Sequence, residues 1–143
     1  NAGLKVGVYF FSQAVNENEA REEAQGCWYV LNSRKLDYPI YFDSEASGGS
    51  NGRADGLGVT DRTKCAIAFC EEVKALGYQP GVYASTLWFR KRLDLSQLSQ
   101  YPIWNAHYNV ASSPIPCQMW QGTCTARIPG YNGQIDVNIS YMG

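Results

Sequence analysis

The sequence predicts an α/β domain in which parallel strands are covered by helices. Short aromatic and β-branched runs alternate three times with segments of helical periodicity, the rhythm of strand, helix, strand with right-handed crossovers. Each helical segment carries its own start and stop residues before the next apolar run begins. At 143 residues the chain suits one domain, 1–143, with enough apolar side chains for a core.

Lys5 to Phe11 reads as the first strand, ending at Ser12-Gln13. A helix follows, with Asn16 or Asn18 as its cap and Glu17 and Glu19 at its positive end. Its apolar stripe is Ala20, Ala24, Cys27, Trp28 and Leu31. Tyr38 to Phe42 is the second strand and runs through Asp43 and Glu45 into the glycine-rich loop Ser47 to Gly52. Thr60 or Asp61 is expected to cap a second helix. Its inner stripe is Cys65, Ala66, Phe69, Cys70 and Val73, and its charged face holds Arg62, Lys64, Glu71, Glu72 and Lys74. Gly77 stops that helix and Pro80 lies beyond it. Gln79 to Ser85 is the third strand, and Thr86 to Leu93 a short helix with Trp88 on one side. The rhythm then changes to three strand candidates without long helices between them: Pro102 to Tyr108, Cys117 to Gln121 and Gln134 to Ile139. Such a pattern fits an open doubly wound sheet or a (β/α) barrel. Phosphate-binding glycine fingerprints are missing, which weakens a nucleotide fold. A complete barrel takes about 250 residues and eight strands, and six strands are counted here.

The charge balance is close to neutral, at −1, with no basic stripe, so neither nucleic acid nor an anionic membrane is favoured as a partner. No stretch is long and apolar enough to span a bilayer. Asn1 to Lys5 lacks the basic-then-apolar pattern of a signal peptide, which leaves export open. Ten Tyr and four Trp point toward sugar rings, because these side chains pair a flat apolar face with a polar handle. Of the five cysteines, Cys27, Cys65 and Cys70 fall in helical segments, where a buried free thiol is the default. No disulfide framework is expected, although Cys117 and Cys124 flank a turn at Gly122-Thr123. The one histidine, His107, gives no zinc spacing, and neither metal nor cofactor is implied.

Chemistry is expected at Tyr41-Phe42-Asp43-Ser44-Glu45-Ala46. Alternation along the strand sets Tyr41, Asp43 and Glu45 on one side and Phe42 and Ser44 on the other. The two carboxylates then lie roughly 6 to 7 Å apart at their α-carbons, close enough to shift each other's pKa in a poorly solvated pocket. A solvated, inert acidic loop is the plainer reading of the same residues. In the last strand Gln134, Asp136 and Asn138 alternate with Ile135, Val137 and Ile139. That pattern fits an exposed edge strand, or a polar face turned into a wet cavity.

The ordered segments Val6 to Phe11, Pro39 to Glu45, Gly81 to Ser85, Trp104 to Tyr108, Met119-Trp120-Gln121 and Ile135 to Asn138 together resemble family 25 of the glycoside hydrolases, muramidases of bacterial and phage origin. The resemblance covers nearly the whole chain. It implies an irregular (β/α) TIM-like barrel with reduced late helices, and cleavage of the β-1,4 bond between N-acetylmuramic acid and N-acetylglucosamine. Peptidoglycan glycan strands would be the partner, met outside the cell or in its wall. Carried over by position, Asp43 and Glu45 match the family's Asp-x-Glu, with Glu45 resembling the general acid, and Asp136 and Asn138 match its late Asp-x-Asn. Tyr9, Tyr83, Trp104, Tyr108, Trp120 and Gln121 match groove positions; for Trp104 and Trp120, core packing is the competing reading. His107 is set aside as structural. An ionised Asp43 is expected to raise the pKa of Glu45, and Asp43 is expected to orient the substrate's own N-acetyl group.

The family's opening strand, with its Asp-x-Ser type motif, has no match ahead of Asn1, and Asn1 to Leu4 resembles the tail of a helix. The chain is therefore expected to be incomplete at its N-terminus, with sheet edges at Lys5 to Phe11 and at the last strand open to self-association. A carbohydrate-binding fragment without catalysis is one alternative function. A family-18-type chitinase is another, weakened because its further Asp two residues before the Asp-x-Glu is Tyr41 here.

Overall fold

The computed structural model describes residues 2–143. Its elements in order are β1 (Val8–Phe11), α1 (Glu17–Leu31), β2 (Ile40–Asp43), α2 (Val59–Ala75), β3 (Pro80–Ser85), α3 (Thr86–Lys91), a single 3-10 turn (Leu95–Leu98), β4 (Ile103–Ala106), β5 (Met119–Ala126) and β6 (Ile135–Ser140). The six strands form one sheet whose spatial order equals the chain order. Pairing is parallel from β1 to β5 and antiparallel between β5 and β6. The sheet curls into half of a barrel, with helices on its convex side. The six strands, three helices and dwindling late helices expected from the sequence are all present.

Local chemistry explains most boundaries. Asn16 caps α1 by accepting from the Glu19 N–H at 3.0 Å. The left-handed Gly77 (φ 91°) ends the turn after α2. Ser85 caps α3 by accepting from the Trp88 N–H. The expected cap of α2 is corrected: the helix starts at Val59 behind Gly58, with no side-chain cap. The Arg62 guanidinium organises this end instead, donating to the carbonyls of Ala54 (3.0 Å), Asp55 (3.3 Å) and Leu57 (2.8 Å) while lying 4.5 Å over the Trp88 ring. Arg62 is 3% exposed, so it belongs to the interior and not to the charged face. Trp28 also departs from expectation, standing exposed beside the buried Ala20, Ala24, Cys27 and Leu31. β1 begins at Val8, later than Lys5; Ala2–Gly7 carry no regular structure, and the expected helix tail lies partly outside the described residues at Asn1. β4 stops two residues before Tyr108, and β5 runs five residues past Gln121.

The main core lies between sheet and helices. Phe42 meets Phe69 of α2 at 5.4 Å between ring centroids, surrounded by Ile40, Val73, Val82, Phe89 and Leu98. Burial of each such side chain contributes about 1.5–3 kcal/mol. A second cluster, Tyr41, Tyr83 and Ala106 with Trp104 against it, fills the concave face. Gly81 makes room for it, since a Cβ there would stand 2.5 Å from Cε1 of Tyr41. Gly81→Ala is expected to displace the Tyr41 ring and cost about 1–3 kcal/mol, measured by urea denaturation. An unchanged midpoint would show that the ring yields freely. All five cysteines are free, with Cys27, Cys65 and Cys70 buried. No helix among the described residues is long and apolar enough to cross a membrane.

Candidate active site

The concave face gathers its polar side chains at the C-terminal ends of the parallel strands. Each strand delivers alternate residues to that side: Tyr9 from β1, Tyr41 and Asp43 from β2, Tyr83 from β3, Trp104 from β4 and Gln121 from β5. The antiparallel β6 adds Asp136. Tyr9, Asp43, Glu45, Tyr83, Trp104, Gln121 and Asp136 line one cleft of about 90 Å³. A neighbouring cavity of about 340 Å³ shares Tyr9 and Trp104 with it and reaches Tyr38, Tyr41, Met119, Asn138 and Ser140.

Asp43 is 4% exposed, and its Oδ1 is buried without a hydrogen-bond partner. Removal from water, and secondarily the charge of Glu45, push its pKa up to about 7. Glu45 stands at the exposed mouth. Its pKa is also raised, first by partial loss of water and then by the charge of Asp136. Three carboxyls, from β2, the loop after it and β6, therefore meet in one cleft, with Asp43 buried and Glu45 and Asp136 toward its exposed side.

The aromatic frame is tightly coupled. Trp104 stands edge-on to Tyr83 (4.6 Å), Tyr41 (5.1 Å) and Tyr9 (6.2 Å) and donates from Nε1 to Oδ1 of Asn138 at 2.8 Å. The Tyr83 and Tyr108 hydroxyls both donate to Oε1 of Gln121, at 2.7 and 2.6 Å. This fixes the Gln121 amide with its NH₂ as the remaining donor. The Tyr41 hydroxyl is buried and has no partner. Behind the strands, Thr86 Oγ1 joins Asn105 and Nδ1 of His107, which ties the end of β4 to α3.

The family model for glycosyl hydrolases family 25 matches residues 1–131. The chain belongs to glycosyl hydrolase family 25. Among solved structures it is similar to the CTP1L endolysin, at 25% identity and TM-score 0.80, over 96% of this chain and 47% of that one. It is similar as well to the modular autolysin LytC from Streptococcus pneumoniae, at 26% identity and TM-score 0.82, over 95% of this chain and 34% of that one. The bacterial lysozyme from Streptomyces coelicolor shares the fold at 22% identity and TM-score 0.72, over 97% and 68%. The family 25 chain thus spans between about a third and a half of the length of CTP1L and LytC. A search of curated proteins finds no match.

Most of the residues singled out in the sequence come together in this family 25 fold, but not all in the expected manner. Trp120 does not line the cleft. It is 7% exposed, lies on the face of β5 opposite Met119 and Gln121, and donates from Nε1 to the His107 carbonyl. Tyr108 sits in the loop after β4 and reaches the site through Gln121 alone, while Asn138 borders the neighbouring cavity. The electrostatic expectation is corrected too, because Asp43 is itself pushed toward neutrality and the charge acting on Glu45 comes from Asp136. Tyr41 was read as sharing a face with Asp43 but not as a lining residue; the alternation was the signal for it. Among the described residues no group of His, Cys, Asp and Glu could hold a metal ion.

Proposed function

We propose that the chain hydrolyses peptidoglycan, cleaving the β-1,4 bond between N-acetylmuramic acid and N-acetylglucosamine, with Glu45 as general acid. The observation that carries this reading is the convergence of Asp43, Glu45 and Asp136 in an aromatic cleft, with the pKa of Glu45 raised by its surroundings. Membership of family 25 supports the reaction class. A LytC structure in complex with a synthetic peptidoglycan ligand supports the glycan. A raised pKa keeps the acid loaded with the proton that the departing glycosidic oxygen needs. Asp43, which lines the cleft beside Glu45, positions the substrate's N-acetyl group for attack on the anomeric carbon. Asp136 stabilises positive charge from the opposite strand, Tyr83 and Gln121 hold sugar hydroxyls, and Tyr9 and Trp104 stack on the rings. The site of action is the cell wall.

A turbidity assay on purified bacterial walls, with reducing ends counted in parallel, tests the reaction. Clearing together with new reducing ends is the expected result. Wall binding without new reducing ends would overturn hydrolysis in favour of a glycan-binding module, a second reading favoured by the aromatic side chains Tyr9, Tyr83 and Trp104 that line the cleft.

A further inference from the structure

The Glu45 carboxyl takes no hydrogen bond from another side chain or main-chain group among the described residues, so its aim into the cleft is set by the backbone on either side of it. On the sheet side that backbone is fixed. The Ser12 N–H donates to the Asp43 carbonyl at 3.0 Å, and the Ser44 N–H donates to the Tyr83 carbonyl at 2.9 Å. Beyond Glu45 the strand has ended, and Gly48, Gly49 and Gly52 make residues 48–52 a stretch with little preferred shape of its own.

One side chain closes this stretch. The Asp55 carboxylate accepts from Ser47 twice, with Oδ1 taking the N–H at 3.1 Å and Oδ2 taking the hydroxyl at 2.9 Å. Two donors from one residue on one carboxylate fix both the place and the direction of that residue. Gly52 permits the approach, since a Cβ there would overlap Cγ and Oδ2 of Asp55 and Oγ of Ser47. Asp55 is anchored in its turn: its N–H donates to the Gly52 carbonyl at 3.2 Å, its carbonyl accepts from Arg62, and the Ala54 N–H donates to Oε1 of Gln13 at 3.2 Å. A continuous line of contacts therefore runs from the buried Arg62 of α2 through Asp55 and Ser47 to the acid.

We propose that Asp55 is a positioning residue for Glu45. By clasping Ser47 it holds the chain on the far side of the acid, as the sheet holds it on the near side. Asp55 does not line the cleft, so it acts through the geometry of Glu45 and not on the glycan. This role rests on the reading of Glu45 as general acid and falls with it. A proton donor misplaced by about 1 Å loses on the order of a hundredfold in rate, while the aromatic side chains that grip the sugar rings are untouched. The loss then belongs to kcat.

Asp55→Ala is expected to lower kcat on peptidoglycan by about 10–100-fold with KM within about twofold. Amide exchange at Ser47 should quicken at least about tenfold in the same variant, while Ser44 keeps its protection. Ser47→Ala is a smaller change that keeps the test decisive where Asp55→Ala unfolds; it removes one of the two bonds and is expected to cost about 3–10-fold in kcat. In a Glu45→Gln background Asp55→Ala is expected to cost less than about twofold, because no proton is left to aim. Equal losses with and without Glu45 would make Asp55 a purely structural residue and overturn the proposal. So would full kcat in both loop variants, a loss confined to KM, or unchanged exchange at Ser47. Glu45→Gln alone tells the two levels apart: if it lowers turnover and Asp55→Ala does not, only the clasp fails, and if it leaves turnover intact, the reading of Glu45 fails and the clasp with it.

Discussion

Glu45→Gln is expected to lower peptidoglycan turnover by about 10²–10⁴-fold, the range removed with a general acid. The substitution keeps the shape of the side chain and deletes the transferable proton. Glu45 is exposed at the mouth of the cleft, so the fold has little reason to respond. Thermal unfolding should superimpose on that of the parent, and retention on insoluble walls should persist. The loss then appears in kcat with little change in KM. Undiminished release of reducing ends would remove Glu45 from the mechanism, whatever the other carboxyls do.

Asp43→Asn should act in the opposite sense on stability. The folded-state pKa of Asp43 is raised from 3.8 to about 7 by burial. Between those values the folded chain holds a proton that the unfolded chain has released, so stability declines as pH rises through the window and stays low above it. The neutral amide escapes that decline. Urea denaturation is expected to show the variant and the parent nearly equal at about pH 4, with the variant ahead by on the order of 2–4 kcal/mol at about pH 8. A difference that is the same at both pH values would mean that the carboxyl is better hydrated than its surroundings indicate. Turnover should fall in the same variant, because the amide no longer offers an ionisable carboxyl to the substrate's N-acetyl group. Stability gained together with activity lost is the signature of a residue kept for chemistry.

Where the sequence was legible, period-two alternation was the reason. Tyr41 and Asp43 share the concave face while Phe42 meets Phe69, as the spacing requires. Asp136 and Asn138 likewise border the cleft and the neighbouring cavity along β6, while Val137 and Ile139 on its other side meet solvent and do not pack against a core. Legibility failed where a side chain's partner is distant in the chain. Arg62 looks like an ordinary surface cation on a helix, and only the carbonyls of the preceding loop give it a place inside. Trp120 satisfies its indole N–H on a carbonyl thirteen residues upstream, which strand periodicity does not encode. The end of β5 was missed because Gly122-Thr123 reads as a turn, whereas the strand absorbs these residues through register shifts.

Because every strand lies beside its neighbour in the chain, the sheet can be laid down in the order in which translation delivers it. Each emerging strand finds its mate already at the growing edge, and loop-closure entropy stays small. Nascent chains arrested after β3 should already protect the amides of β2 from hydrogen exchange, with the arm of β5 and β6 as the last part to settle.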